Sequence, residues 1–273
     1  MNGIGGATAL VTGAGSARGI GRAFVQELRR RDARRIYATD LAREGVEALA
    51  ADDAGGRIVP LALDVTDEQA IAEAAGRCAG IDLLINNAGV CFPSRLIGAP
   101  DLAWARREME VNYWGMLAMC RAFAPVLAAR GGGAIVNVSS IYGLVNYPYV
   151  GSYSASKAAN ASLTQGIRAE LRDQGTLVVA VYPGTVDTEL SAGNPSRDKT
   201  PPAALAATVL DGLERGEEEI FVGPDALDIA ARLATDAKGV EREYAEALAR
   251  RVMSPRNKSW HDEEEGQRGR DPA

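Results

Sequence analysis

Short apolar runs recur along the chain at residues 8–12, 35–39, 58–63, 83–86, 134–139, 177–182 and 219–222, separated by stretches with helical spacing of apolar positions. Runs this short and apolar throughout predict strands buried on both faces, and their regular alternation with helices predicts a parallel sheet. Right-handed crossovers then give an α/β fold: one doubly wound parallel sheet of about seven strands with helices on both faces. The ligand crevice of such a sheet opens at the C-terminal ends of its strands. Helical segments include 22–31, 102–130, 152–173 and one that starts near Pro201. Asn112 falls inside the 102–130 segment among Val111, Trp114, Met116, Leu117 and Met119, which predicts a largely buried helix carrying a functional amide. No repeat or linker interrupts the pattern, so residues 1–253 read as a single domain. From 254 to 273 the chain turns polar and charged, and a disordered C-terminal tail is expected there.

The segment 152–173 places Tyr153 and Lys157 four residues apart, about one helical turn, on one face. A phenol with a pKa of about 10 exchanges protons poorly at neutral pH. An ammonium nearby favours the phenolate, so Lys157 is expected to lower the Tyr153 pKa and make it an acid/base. Ser140, at the end of the run 134–139, can hold the same substrate oxygen. This trio suits a proton moving to or from a carbonyl oxygen while a hydride moves to or from its carbon, which requires a hydride carrier. Its expected site is the first strand, the turn containing Gly13, Gly15, Gly19 and Gly21, and the helix that follows. Glycines in that context allow a tight turn and let the backbone approach a pyrophosphate facing the helix N-terminus. The second strand ends in Asp40, where a ribose diol would sit.

Read together, residues 8–188 resemble the short-chain dehydrogenase/reductase family. Thr12-Gly13 and Gly19-Ile20-Gly21 match its phosphate loop, with five residues intervening where the family has three; Asp64, Asn86-Asn87-Ala88-Gly89, Val111-Asn112, Ser140, Tyr153, Lys157 and Pro183-Gly184-Thr185-Val186-Asp187-Thr188 match its other motifs in order. The resemblance implies a Rossmann-type fold and a catalytic tetrad of Asn112, Ser140, Tyr153 and Lys157, with Asn112 holding a water in a proton relay behind the lysine. It implies cofactor contacts at Gly13, Ser16, Arg18, Gly19 and Ile20 in the loop, at Asp64 and Val65 beside the adenine, and at Asn87, Ala88 and Gly89. Tyr153, Lys157, Pro183, Gly184, Val186 and Thr188 are the contacts implied around the nicotinamide. It also implies a homodimer or homotetramer built on helices 102–130 and 152–173. The stretch 225–251 departs from the common family ending.

Asp40 points to NAD, because the 2′-phosphate of NADP would meet its carboxylate, whereas Arg18 points to NADP, the alternative cofactor. The expected activity is hydride transfer between NAD(H) and a ketone or secondary alcohol. Tyr142, Tyr147 and Tyr149, between Ser140 and Tyr153, favour a medium to large apolar substrate, and the short connection from Thr188 to Pro201 favours an open or shallow site. Two other classes are a non-catalytic NAD(P)-binding regulator, which would usually lack a tetrad member, and an enoyl reductase, which would space tyrosine and lysine more widely.

Composition narrows the field further. A net charge of −6 over 273 residues argues against a nucleic-acid surface, and the arginines at 29, 30, 31, 34 and 35 read as a solvated helix end. No stretch has the length of a membrane span and the N-terminus lacks a signal-peptide pattern, so no membrane partner and a cytoplasmic location are expected. Cys78, Cys91 and Cys120 lack metal-ligand spacing, and the one histidine, His261, lies in the polar tail. No metal is therefore expected, and tyrosine is left as the acid/base.

Overall fold

Seven strands form where the apolar runs predict them: β1 Thr8–Thr12, β2 Arg35–Asp40, β3 Ile58–Ala62, β4 Leu83–Asn86, β5 Gly133–Val138, β6 Thr176–Pro183 and β7 Glu219–Val222. In this computed structural model, which describes residues 3–192 and 198–252, they make one parallel sheet in the order β3-β2-β1-β4-β5-β6-β7. Pleating sends alternate side chains to opposite faces. Ala9, Val11, Leu83, Ile85, Val136 and Val181 pack on one side against Phe24, Leu28, Leu205 and Val209. Leu10, Leu84, Ile135 and Val178 pack on the other against Ile71, Met119, Phe123 and Leu127. Covering both faces is what makes β1, β4 and β5 fully buried.

The covering helices are α1 Ile20–Arg30, α2 Arg43–Ala51, α3 Glu68–Arg77, α4 Ala103–Met109, α5 Met116–Ala128, α6 Gly151–Glu170, α7 Pro202–Glu214 and α8 Pro224–Val252. The expected long helix 102–130 is met by one unbroken helical run over 103–128 that changes geometry in its middle. Between α4 and α5 the turn Glu110–Gly115 widens to π geometry. Gly115 there lies so close to β3's exit that a Cβ would sit 2.8 Å from the Val65 carbonyl, so the widened turn also brings the chain onto its neighbour. Helix α8 is two pieces joined at Asp236, whose backbone is non-helical and whose Oδ1 accepts the Gly239 N–H at 2.8 Å. The polar tail 254–273, with His261, lies outside the described residues.

The arginine run is used inside the chain. Arg31 pairs with Glu27, Asp211 and Glu214, tying α1 to α7, and Arg30 pairs with Glu27, whose carboxyl is held down at about 2 chiefly by the hydrogen bond from Arg30. Among the described residues no helix is long and apolar enough to cross a membrane, and no group of His, Cys, Asp and Glu is placed to hold a metal ion.

Candidate active site

Strand order reverses direction between β1 and β4, and there a crevice of about 660 Å³ opens at the strand C-termini. Its two sides are stapled together by polar bonds. Thr12 Oγ1 accepts the N–H groups of Asn87 and Ala88, each at 3.0 Å, while Asn87 Nδ2 donates to the carbonyls of Thr12 and Gly13 at 2.9 and 3.0 Å. Below this, Asn86 Nδ2 donates to Asn137 Oδ1 at 2.9 Å, and Asn137 Nδ2 donates to Thr164 Oγ1 at 3.1 Å, joining β4, β5 and α6. Bonds of this kind hold the motif backbone in one place.

The glycine loop's two extra residues are taken up against β2. The Gly15 N–H donates to Asp40 Oδ2 at 2.8 Å, and a Cβ on Gly15 would overlap that carboxylate at 2.9 Å. Helix α1 then starts at Ile20 from an extended Gly19 with no side-chain cap. Its N–H groups and positive dipole end face the crevice that Gly13, Ser16, Gly19 and Ile20 line. A dinucleotide fits these walls: an uncapped helix N-terminus for the pyrophosphate, Asp40 beyond it, and Asp64, Val65 and Leu41 farther along. Asn87, Ala88, Gly89, Pro183, Gly184, Val186 and Thr188 line the same crevice. Arg18 does not. Its guanidinium lies 3.8 Å from Glu189 Oε1 and its side chain is 59% exposed.

Ser140, Tyr153 and Lys157 also line the crevice. Ser140 caps the short turn Ile141–Gly143, accepting the Tyr142 N–H at 3.2 Å. That turn rests on α6 because Gly143 has no side chain: a Cβ would lie 2.6 Å from the Lys157 carbonyl, which also accepts the Ser139 hydroxyl at 3.1 Å. The serine, on β5's exit, is thereby brought to the tyrosine on α6, near enough for its hydroxyl to favour the phenolate. Asn112, fully buried in the widened turn, lies behind the crevice wall instead of in it. Its Oδ1 accepts the Val90 N–H, and its Nδ2 donates to the Val90 carbonyl and Ser156 Oγ, all at 2.9 Å.

The electrostatics correct one expectation. Lys157 Nζ stands 5.7 Å from the Tyr153 ring centroid but donates to the Val138 carbonyl at 2.9 Å. Burial lowers the lysine to about 8. Burial likewise raises the Tyr153 phenol well above its ordinary value, reinforced by the negative charge Cys91 would carry and opposed by the Ser140 hydrogen bond. In the protein's own geometry desolvation is therefore the largest influence on the phenol, which keeps its proton.

Several neighbours carry no sequence signal. Cys91 lines the crevice with its thiol pushed up to about 12 by burial and by Glu108. Glu108, with 0% exposure, accepts the Phe92 N–H at 2.7 Å and so ties the Cys91–Pro93 wall to α4, and burial raises its acid above the usual carboxylate range. Asp225, at the start of α8, accepts the Thr185 N–H at 2.8 Å; a Cβ on Gly184 would sit 1.8 Å from its Oδ1, which is why the turn after β6 requires glycine. Tyr142 and Tyr147 stack at 5.0 Å, and Tyr244 of α8 packs edge-on against both at 6.1 and 5.5 Å. The tyrosines between Ser140 and Tyr153 thus both line the crevice and pack on the protein.

Comparison with known proteins agrees with this geometry. The family model described as short chain dehydrogenase matches residues 7–199. A cis-4-hydroxycyclohexanecarboxylate dehydrogenase of Sinomonas cyclohexanicum is 40% identical over 242 residues, 84% of this chain and 94% of its own. A short chain dehydrogenase from Burkholderia cenocepacia, solved in complex with NADP, superposes with a TM-score of 0.81 at 40% identity, covering 89% of this chain and 99% of that one. The bulky-bulky ketone specific alcohol dehydrogenase from Comamonas testosteroni superposes with a TM-score of 0.73 at 26% identity, covering 87% and 94%. A dinucleotide crevice at the sheet's switch point and a family match over most of the length lead to one assignment: this chain belongs to the short-chain dehydrogenase/reductase family, oxidoreductases that use NAD(P).

Proposed function

We propose that this crevice exchanges hydride between NAD(H) and an apolar ketone or secondary alcohol, with Tyr153 as proton donor in the reducing direction. The observation that carries the reading is the placement of Ser140, Tyr153 and Lys157 together in the crevice that the glycine loop, Asp40 and the Pro183–Thr188 turn also line. When bound, the dinucleotide supplies the hydride. Ser140 holds the carbonyl oxygen in line with the phenol, and Tyr153 gives that oxygen its proton. Because burial keeps the phenol protonated at neutral pH, reduction starts from the form already present. Lys157, charged below about 8 and 5.7 Å from the ring centroid, steadies the phenolate that remains and is the group assigned to the nicotinamide ribose. The relay water assigned to Asn112 falls to its main-chain carbonyl, which accepts a long 3.4 Å bond from Asn160 Nδ2, because the side-chain amide is committed elsewhere.

The choice of NAD rests on Asp40, which lines the crevice. A 2′-phosphate would face its carboxylate. NADP is kept as a second reading because the Burkholderia relative was solved with it. Substrate size rests on the wall of Tyr142, Tyr147, Tyr149, Val90, Pro93 and Val150. Two relatives, the cis-4-hydroxycyclohexanecarboxylate dehydrogenase and the bulky-bulky ketone specific alcohol dehydrogenase, point to a substrate of the same size. We expect kcat/KM across a panel of ring ketones, polyols and enoyl thioesters to be highest for the ring ketones. NADH should be favoured over NADPH by about fivefold or more. Activity confined to small, highly charged carbonyls or to enoyl thioesters overturns the substrate reading, and an NADPH preference overturns the cofactor reading.

Assembly is proposed through α4–α5 and α6 as a homodimer or homotetramer. Trp114, 52% exposed on the widened turn, supplies an apolar anchor on that side. Sedimentation should give a dimeric or tetrameric mass that Trp114→Glu reduces; a monomeric wild type refutes it.

A further inference from the structure

The residue after Thr188 bridges the crevice. Glu189 begins the short turn Glu189–Ser191 and lines the crevice together with Ser16, Gly19 and Ile20. Its carboxylate reaches the glycine loop: Oε2 accepts the Ser16 hydroxyl at 2.5 Å, and Oε1 accepts the Arg18 backbone N–H at 3.0 Å. The Arg18 guanidinium completes the contact as an ion pair. These bonds hold the Glu189 acid below the usual carboxylate range, the Ser16 hydroxyl contributing most.

A hydroxyl, an outward-facing backbone N–H and the uncapped start of α1 form a donor set for an anion. In the protein's own geometry the anion that meets them is Glu189. A dinucleotide brings a pyrophosphate to the same loop, and two anions compete for one set of donors.

We propose that Glu189 is an internal competitor for the pyrophosphate, leaving the glycine loop when the dinucleotide binds and thereby weakening cofactor binding. The proposal rests on the dinucleotide reading of the crevice. Among the described residues, the hydrogen bonds between this turn and the glycine loop all run through Glu189. The turn has its own closure: Thr188 N–H donates to Ser191 Oγ at 3.2 Å, and Lys199 Nζ donates to the Ser191 carbonyl at 2.8 Å. Releasing Glu189 therefore detaches the turn from the α1 side without dismantling it. Leu190 and Ser191, which line the crevice, would move with it, so the substrate wall is set by cofactor loading.

The test uses the full chain, with Glu189→Gln to remove the charge at constant shape and Glu189→Ala as a second variant, each checked for an unchanged thermal transition. Calorimetric titration compares NADH and ADP-ribose, which carry the pyrophosphate, with adenosine, which does not. Both variants are expected to bind NADH and ADP-ribose about 5- to 10-fold more tightly than wild type, a gap that narrows at high salt, with adenosine unchanged. Unchanged or weaker NADH binding in both variants overturns the proposal, as does an equal gain with adenosine. If the wild type binds neither NADH nor ADP-ribose, the dinucleotide reading itself is what fails.

Discussion

Replacing Tyr153 by Phe is expected to lower turnover on the order of 10²- to 10⁴-fold, the usual contribution of a placed general acid, while NADH affinity stays close to wild type. The variant keeps the ring, its packing and its distance from Lys157, and removes the phenol hydroxyl alone. The wild-type pH dependence carries the same chemistry. With the phenol raised above its ordinary value, the proton needed for reduction is present throughout the neutral range. As pH rises through about 8 the buried Lys157 loses its charge, and with it the cation that steadies the phenolate left by proton donation. Reduction should therefore fall on the alkaline side of that value. Oxidation needs the phenol to have lost its proton and should instead gain as pH rises. Profiles of kcat/KM in both directions check this: near-full turnover in Tyr153→Phe rejects the assignment of the acid, and a reduction profile flat through the alkaline range rejects the role of Lys157.

The second large effect is expected at Gly21→Ala. Gly21 is the second residue of α1, and a Cβ there would sit 2.2 Å from the Gly13 carbonyl oxygen and 2.7 Å from Asn87 Nδ2, the amide that bridges the glycine turn to β4. Backbone cannot yield as a long side chain does, so α1 must shift away from the turn or the Asn87 bridge must break. Overpacking of this kind costs about 1–3 kcal/mol. Spent on the loop that receives the pyrophosphate, it corresponds to roughly 10- to 100-fold in dinucleotide affinity. Gly166→Ala in α6, where a Cβ meets nothing within 4 Å, is the control and should be neutral or slightly stabilising. Titration with NADH and thermal unfolding measure both variants; wild-type affinity in Gly21→Ala would show that the close approach is dispensable.

Much of this molecule was readable from its residues because the relevant physics is local. A central strand of a sheet covered on both faces must be apolar at consecutive positions, so β1, β4 and β5 announced themselves and the bounds of all seven strands were met within a residue or so. The spacing of Tyr153 and Lys157 puts both on one face of α6 for the same local reason. The widened turn Glu110–Gly115 was not readable, since an α-turn and a π-turn share the same amphipathic pattern. Nor was the acid Glu108, which is raised by burial beside Phe92 rather than by its own neighbours in the chain.

The sequence by itself determined the strand order's raw material, the glycine turn, the Ser140–Tyr153–Lys157 trio and the acid at Asp40, because each depends on residue type and short spacing. Tertiary structure alone decided that Arg18 meets Glu189, that Tyr244 backs the tyrosine wall, and that Asp225 occupies the space a side chain at Gly184 would need. It also decided that Tyr153 keeps its proton and Lys157 holds its own less tightly. Proton affinity inside a protein is set by how much water packing removes and by which dipoles remain in reach, and both are properties of elements far apart in the chain brought together by the fold.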